Sequence, residues 1–352
     1  MARLAHQAEV HKLALLLGKP LADLPFLDKL DLRTLRALRE RITAVLFDAD
    51  AELFGRIAAA TRLMPGPLSA VIAEKALGPL LCARIAGQLP PDRAVDIAKR
   101  LPTAFLADVC LQLDPRRVRE LIASMPVARI VDVARELAER KAYIVMGRFV
   151  DCLPEPAMRA VLDALRDDEA LLRIGLYVED PAQLDAVIEM LPDARLREMI
   201  AIAIAQGAEL WADALALINA VGPRPRQRMA TIAAGFDDAQ IARMLALTQT
   251  QNLWGELLML IAEMPEAECA RLARAPGLHD DAVLAALIRA TDAGGLWPQL
   301  LPLVGHLDPA LQQRAAALAE RQGGDVLARL DAARADFAAQ RGVNLANAAR
   351  AG

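Results

Sequence analysis

The segment LWGELLMLI at residues 253–261 has two close copies in the chain, LWADALALI at residues 210–218 and LWPQLLPLV at residues 296–304. Their tryptophans are the only three in the chain, and they lie 43 residues apart. Counted from each tryptophan, apolar residues recur at the third, fourth and seventh positions, which is the spacing of one face of an α-helix. The sixth position is a leucine in every copy, so we expect a wide apolar face packed between neighbouring helices.

Each copy continues in register beyond its leading helix. Prolines mark the predicted ends of the leading helices, at Gly222-Pro223, Pro265 and Asp308-Pro309. Proline has no backbone N–H and disfavours helix at the residue before it. A second helix and a third, opening at paired aspartates, complete the first two copies. The pattern predicts three 43-residue, three-helix repeats over residues 206–335. The last copy departs from the pattern, as expected of a terminal repeat.

The upstream half has a shorter rhythm of leucine and proline. Its breaks stand at Leu89-Pro90, Leu101-Pro102, Leu113-Asp114-Pro115, Met125-Pro126, Leu153-Pro154, Asp180-Pro181 and Leu191-Pro192. Isolated helices shorter than roughly 12–15 residues are marginal in water, so these segments must be held by their neighbours. We predict one continuous all-α superhelix rather than separate globular domains. It consists of an N-terminal helical cap at residues 1–60, a short-helix solenoid at 61–205, the repeats, and a tail at 336–352.

Two resemblances follow from these patterns. The 43-residue repeats resemble the stacked helices of HEAT and armadillo solenoids. The run from Leu89-Pro90-Pro91-Asp92 to Leu113-Asp114-Pro115 resembles the helical cytoplasmic N-terminal domain of MgtE-type magnesium transporters, over about residues 62–195. The second resemblance implies a related helical scaffold. It does not carry over transport or magnesium sensing, because nothing in the chain resembles that family's CBS modules or membrane channel.

Composition narrows the function classes. The net charge is −4, the pI is about 5.7, and acids and bases are interleaved, which argues against nucleic acid as the partner. The longest apolar window, residues 199–208, is shorter than the roughly 20 residues that a membrane span needs. The first residues carry charges within their apolar part, unlike a secretory signal. The four cysteines form no CxxC pair and predict free, buried thiols. We therefore expect a cytoplasmic protein without a transmembrane segment.

No pattern for catalysis, metal binding or cofactor binding is present. The chain has no GxSxG, GxGxxG or P-loop, and its four histidines lack the spacing of a metal site. Acidic clusters occur at Asp167-Asp168-Glu169, Asp237-Asp238 and Asp280-Asp281. Paired carboxylates could bind Mg²⁺ or Ca²⁺, but acids at helix starts also cap free N–H groups, and we favour capping. We predict no cofactor and no metal.

Two groups of residues are candidates for binding a ligand or a partner. The first is a polar group around residues 136–151 and comprises Arg140, Tyr143, Arg148 and Asp151, together with the other tyrosine, Tyr177. It could line a polar spot in an apolar groove or form a hydrogen-bond network between helices. The second comprises Arg228, Arg271 and Arg314, which share one position in the three repeats. They could receive an acidic or phosphate-bearing partner, or pair with carboxylates of a neighbouring repeat.

Repeat architecture without a catalytic constellation predicts a non-enzymatic scaffold that binds a protein or peptide on its concave face. The alternative is a carrier or sensor for an apolar ligand, such as a fatty acyl chain, held inside the superhelix. It is motivated by the apolar fraction of 55% with only 3% aromatic residues. The third hypothesis is an enzyme with an unrecognised site, for which Tyr143, Arg148 and Asp151 are the residues to substitute first.

Overall fold

The computed structural model describes residues 2–48, 51–61, 64–323 and 325–351, with side chains from residue 5 to residue 339. These residues form helices and connecting turns, and no strand occurs among them, which confirms the predicted all-α solenoid. The chain forms two compact units, Met1–Leu191 and Pro192–Gly352. This boundary lies inside the predicted short-helix segment. The finer division into cap, solenoid, repeats and tail stays a prediction.

The N-terminal unit consists of short helices that pack in two alternating rows. Its helices are α1 (Ala2–Leu17), α2 (Leu32–Asp48), α3 (Ala51–Thr61), α4 (Gly66–Ile72), α5 (Gly78–Ala86), α6 (Pro91–Ala98), α7 (Thr103–Gln112), α8 (Arg119–Ser124), α9 (Val127–Glu139), α10 (Tyr143–Val150), α11 (Glu155–Ala164), α12 (Asp168–Gly175) and α13 (Pro181–Met190). Helices α4, α6 and α8 pack in sequence on one another, as do α5, α7, α9 and α11. Proline occupies the first position of α6 and α13, where its missing N–H costs nothing.

The first two helices form a hairpin with its own small core. Its buried residues are Val10, Leu13, Ala14, Leu24, Leu27 and Leu35, and all of them lie within the hairpin itself. The hairpin reaches the rest of the unit through polar contacts. Arg116 pairs with Glu40 at 3.4 Å, and Arg117 pairs with Asp48 at 2.7 Å. Arg84 lies 3.9 Å over the ring of Phe47.

The C-terminal unit contains the three predicted repeats, preceded by one helix. Its helices are α14 (Asp193–Gln206), α15 (Ala208–Ala220), α16 (Pro223–Ala234), α17 (Asp238–Gln251), α18 (Trp254–Ile261), α19 (Glu266–Ala273), α20 (Asp281–Gly294), α21 (Trp297–Val304), α22 (Pro309–Arg321) and α23 (Val326–Ala351). The leading helices α15, α18 and α21 pack on one another in order, as stacked repeats require. Helix α23 runs through the segment predicted as a tail, where side chains beyond residue 339 lie outside the described part.

The repeated tryptophans are core residues of this unit. Trp211 and Trp254 are fully buried, and Trp297 is 6% exposed. The indole Nε1 of Trp211 donates to Thr248 Oγ1 at 2.9 Å, and that of Trp254 donates to Gln249 Oε1 at 2.7 Å. The indoles of Trp211 and Trp254 therefore fill the interior with their single donors satisfied, whereas the buried Nε1 of Trp297 has no hydrogen-bond partner among the described residues.

None of the described helices combines enough length with enough apolar residues to cross a bilayer.

Candidate functional sites in the N-terminal unit

Glu179 lies in the turn between α12 and α13 and is the centre of a charged cluster. Its carboxylate pairs with Lys12 Nζ at 3.0 Å, with Arg39 Nη2 at 3.1 Å, and with Arg116. Burial alone would raise the pKa of this carboxyl, but the three cations outweigh burial and hold the pKa at about 2. Glu179 therefore stays ionised at any physiological pH.

A second carboxylate shares two of these cations. Glu9 accepts from Arg39 Nε at 2.8 Å and lies 3.3 Å from Lys12 Nζ. Glu9, Lys12 and Arg39 are each at most 5% exposed. Because charges that leave water need partners, this arrangement of two carboxylates bridged by two cations satisfies groups that would otherwise be costly to bury.

The turn that carries Glu179 is fixed from two sides. The carboxylate of Asp151 accepts from the backbone N–H of Glu179 at 3.1 Å and of Asp180 at 3.2 Å. Burial raises the pKa of Asp151, and these two hydrogen bonds partly oppose that rise. On the other side, the hydroxyl of Tyr177 is hydrogen-bonded to His11 Nδ1 at 3.0 Å. Burial lowers the pKa of His11, which favours its neutral form.

We call Glu9, Lys12, Arg39, Arg116, Asp151 and Glu179 the Glu179 cluster. It joins helices α1 and α2 to the turn before α13, across about 140–167 positions of sequence. All its members belong to the N-terminal unit. Its geometry is that of a structural ion-pair network in which the acidic and basic side chains pair with one another.

Three of the five polar candidates predicted from the sequence lie in or beside the Glu179 cluster. Asp151 is a member of the cluster, and Tyr177 lies beside it, hydrogen-bonded to His11 of α1. Arg148 Nη2 lies 3.4 Å from Asp114 Oδ1, and the charges of Arg39, Glu179 and Arg116 act on it. Burial lowers the pKa of Arg148, and the charge of Asp114 opposes this. These contacts form an inter-helix network; that any of the three binds a ligand stays a prediction.

The other two candidates lie elsewhere. Arg140 pairs with Asp108 at 2.6 Å and with Glu136 at 2.7 Å. Tyr143 begins α10, and its pKa is raised by burial and by the nearby charge of Asp167. Helical spacing alone suggested one polar spot, but a face of a helix contacts several neighbours, and the side chains divide among them.

Sequence reasoning missed Glu9, Lys12, Arg39 and Glu179. The available signal was local: Glu9 and Lys12 stand beside Val10 and Leu13 in an apolar stretch of α1. A charged side chain on a buried helix face needs a charged partner. The sequence does not reveal that the partner is Glu179, because nothing local links positions so far apart.

The register arginines of the C-terminal unit are engaged within the chain. Arg228 Nε donates to Asp193 at 2.7 Å, and Arg271 donates to the carbonyls of Ala234 and Phe236. Arg314 donates to the carbonyl of His279 at 2.8 Å and pairs with Asp281. Carbonyls at helix ends have no partner within their own helix, so an arginine from the next repeat can satisfy them. A role for these arginines in binding a partner stays a prediction.

The acidic clusters act as helix caps. The carboxylate of Asp167 accepts from Ala170 N at 2.9 Å, that of Asp237 from Gln240 N at 2.8 Å, and that of Asp280 from Ala282 N at 2.7 Å. This is the capping role favoured by the sequence. Within the part of the chain that the structure describes, no group of three or more His, Cys, Asp or Glu side chains is arranged to hold a metal ion.

A cavity of about 150 Å³ lies within the same unit. Its walls come mainly from α4 to α8 and the turns between them, with Thr61 at one edge and Phe149 of α10 at another. Apart from Phe149, most lining residues are aliphatic. The lining residues with a hydroxyl or a sulfur atom are Thr61, Met64, Ser69, Cys82, Cys110 and Met125. Apolar walls with few polar groups are the usual composition of a small-molecule site.

The two cysteines of the cavity lie in an apolar environment. Cys82 and Cys110 keep some accessible surface, whereas Cys152 and Cys269 are buried as the sequence predicted. Burial nevertheless raises the pKa of the Cys82 thiol to about 11 and that of Cys110 to about 12. Both side chains are among the lining residues of the cavity. Both thiols are therefore neutral at physiological pH.

Comparison of the chain with models of known protein families, with curated proteins and with solved structures gives no match in any of the three. The resemblance to the MgtE-type domain therefore rests on the leucine and proline spacing alone. The function is inferred instead from the chemistry of the Glu179 cluster and of the cavity.

Proposed function

We propose that this chain is a non-enzymatic binding protein whose N-terminal unit holds a small apolar ligand. The observation that carries the proposal is the apolar cavity of about 150 Å³ between α4 and α8. An apolar cavity of about 150 Å³ stays dry and takes benzene or xenon in other proteins. The cavity moves the carrier or sensor hypothesis ahead of the scaffold hypothesis.

The Glu179 cluster supports a binding role over an enzymatic one. Its acids and bases are paired with one another, and Glu179 is ionised far below neutral pH. General acid–base catalysis needs a group whose pKa lies near the working pH and which can reach a substrate. Tyr143, Arg148 and Asp151, the residues of the enzyme hypothesis, also do not share one site. We therefore place the enzyme hypothesis last.

The proposal is tested by xenon binding, followed by ¹²⁹Xe NMR of the whole protein. Cys110 lines the cavity, so Cys110→Leu should fill part of it and weaken xenon binding at least about 10-fold. Cys110→Ala removes the same thiol while leaving the space open, and it should bind xenon as the wild type does. Equal xenon binding by the wild type and Cys110→Leu would contradict a ligand site in this cavity.

A second candidate function is the protein-binding scaffold, and one surface feature favours it. Among the side chains that the structure describes, the exposed large hydrophobic ones all lie in the first 127 residues. They are Leu15, Leu17, Leu21, Phe26, Val45, Leu46, Leu53, Leu68, Val71, Leu80, Leu81 and Val127. Exposed apolar surface concentrated in one region is a common mark of an interaction site.

Native crosslinking of wild type and of a Leu53→Lys, Leu80→Lys double variant tests the scaffold. A partner recovered in stoichiometric amount with the wild type and lost with the double variant would support it. Ala246→Lys, at an exposed position of α17, is the control and should keep the partner. Failure to recover any stoichiometric partner with the wild type would count against the scaffold.

Two predictions about context remain part of the proposal. A cytoplasmic location is supported by four cysteines that are all unpaired thiols, since disulfides are rare in reducing compartments. The MgtE-like resemblance supports a helical scaffold and nothing about magnesium.

A further inference from the structure

The hydroxyl and thiol groups that line the cavity are, with one exception, hydrogen-bonded to the protein. Thr61 Oγ1 donates to Ala58 O at 2.7 Å, Ser69 Oγ to Pro65 O at 3.2 Å, and Cys82 Sγ to Ala73 O at 3.4 Å. The exception is the Cys110 thiol, which burial keeps neutral by raising its pKa to about 12. A neutral thiol is a weak donor and a weak acceptor.

Two arginines donate hydrogen bonds to backbone carbonyls of residues that line the cavity, at or near the ends of helices. Arg93 Nη2 donates to Thr61 O at 2.9 Å, to Met64 O, and to Ser69 Oγ at 3.0 Å. Arg129 donates to Leu101 O in the same way. These carbonyls stand at or just beyond the ends of α3 and α6, where no helical partner remains.

Neither arginine is a lining residue of the cavity. The Nε–H groups of both lack a partner, but neither side chain contributes to the cavity wall. The described walls thus offer a ligand apolar surface and one neutral thiol. A polar group on a ligand would lose its hydrogen bonds to water without replacing them.

We infer that the ligand of this cavity is a neutral compound without hydrogen-bonding groups, with about six to eight carbon atoms. The inference rests on the proposed function and narrows its ligand class. It disfavours a ligand whose carboxylate enters the cavity, because that charge would be buried without a partner, and the volume holds a group of about the size of benzene. Small aromatic or branched hydrocarbons fit both the volume and the walls.

Calorimetric titration of the wild-type protein with benzene, phenol and hexanoate tests the ligand class. From the apolar surface buried, benzene should bind with a Kd on the order of 0.1–1 mM. Phenol should bind at least about 10-fold more weakly, since its hydroxyl finds no partner. Hexanoate should not bind in the cavity, so any hexanoate binding that is observed should persist in Cys110→Leu.

The outcomes separate this inference from the proposed function. If phenol or hexanoate binds as tightly as benzene and Cys110→Leu abolishes that binding, the ligand class is wrong while the cavity remains a binding site. If neither xenon nor any of the three compounds binds, the inference and the proposed function are both wrong.

Arg93→Met tests the reason for the preference. Without Arg93, the carbonyl of Met64 loses its side-chain donor and that of Thr61 keeps only the N–H of Met64 at 3.3 Å, so a phenol hydroxyl gains an acceptor. The benzene-to-phenol affinity ratio should therefore fall at least about threefold. Arg100→Met removes an arginine that pairs with Asp96 at 2.9 Å and should leave the ratio unchanged. An unchanged benzene-to-phenol ratio in Arg93→Met would overturn the role given to Arg93. If Arg93→Met does not fold, the ratio measured with the wild-type protein still decides the ligand class.

Discussion

Glu179 shows how much one side chain can contribute when it satisfies several buried partners. Glu179→Gln removes the charge opposite Lys12, Arg39 and Arg116. Removing one partner of a buried network leaves the other charges uncompensated, so the free energy of unfolding should fall by about 2–4 kcal/mol at pH 7. Urea denaturation measures it. Glu155→Gln, which breaks an exposed pair with Arg159, is the matched control and should cost less than about 1 kcal/mol.

The same residue predicts a pH dependence. The pKa of Glu179 is about 2 in the folded protein, against 4.5 for the ordinary carboxyl. The unfolded chain therefore takes up the proton first, and the stabilisation present above pH 4.5 is lost as the pH falls towards 2. The lowered pKa of His11 acts in the same direction below pH 6.5, whereas the raised pKa of Asp151 acts against it. Glu179→Gln should flatten the loss of stability between pH 4.5 and pH 2; an unchanged slope would contradict the assignment.

Trp254 is the residue-scale test of the repeat. It is fully buried and its Nε1 has a partner, Gln249. Trp254→Ala should lower the free energy of unfolding by about 3–5 kcal/mol, because it removes a large apolar group and leaves a cavity. Thermal or urea denaturation followed by far-UV circular dichroism measures it. A near-neutral result would mean that the tryptophan does not anchor the stacked helices.

Residues with local roles were predictable, and residues with distant partners were not. The spacing of the tryptophans predicts their place in the core, and the position of Asp237 and Asp280 before an apolar helical pattern predicts their capping role. Glu179 stands two residues before Pro181 and has the local context of an ordinary turn residue. Its role depends on Lys12 and Arg39, which only the folded chain brings near it.

At the scale of helices, Gly147 marks a close contact between α10 and α12. A Cβ atom at this position would lie 2.6 Å from Tyr177 Cβ and 2.7 Å from Ile174 O. Gly147→Ala should therefore push the two helices apart and cost about 1–3 kcal/mol, although alanine is the better helix former. Chemical denaturation measures the change.

Gly55 provides the control for this prediction. It lies inside α3, and a Cβ there would meet no atom within 4 Å. Gly55→Ala should stabilise the protein by up to about 1 kcal/mol, since it restricts the unfolded chain and favours helix. If both glycine variants gained stability, the contact at Gly147 would not be as tight as described.

The helix boundaries were predictable from the positions of proline, whereas the long-range packing of the helices was not. Helices begin at Pro91, Pro181, Pro223 and Pro309, where the ring fits the first turn. The hairpin of α1 and α2 was predicted only as a cap. That it has its own core and reaches the rest of its unit through charged side chains depends on contacts that no periodicity encodes.

For the whole molecule, the two units should differ in their response to acid. The Glu179 cluster lies in the N-terminal unit, so the stabilisation lost below pH 4.5 belongs to that unit. Hydrogen exchange followed by mass spectrometry at pH 6 and pH 3, corrected for intrinsic rates, should show protection falling mainly in residues 1–191. Equal loss of protection in residues 192–352 would contradict this prediction.

The fold class was predictable at this scale because repetition and apolar spacing are properties of the sequence itself. The cavity was not. It is a volume left between helices α4 to α8, and its size depends on how their side chains meet. Leucines and alanines that line the cavity have the same sequence pattern as those that fill a core.

The placement of the aromatic residues has an optical consequence. All three tryptophans lie in the C-terminal unit, and both tyrosines, Tyr143 and Tyr177, lie in the N-terminal unit. Indole fluorescence excited near 295 nm, where tyrosine absorbs little, therefore reports on the C-terminal unit alone. The unfolding of that unit can be followed without attaching any dye.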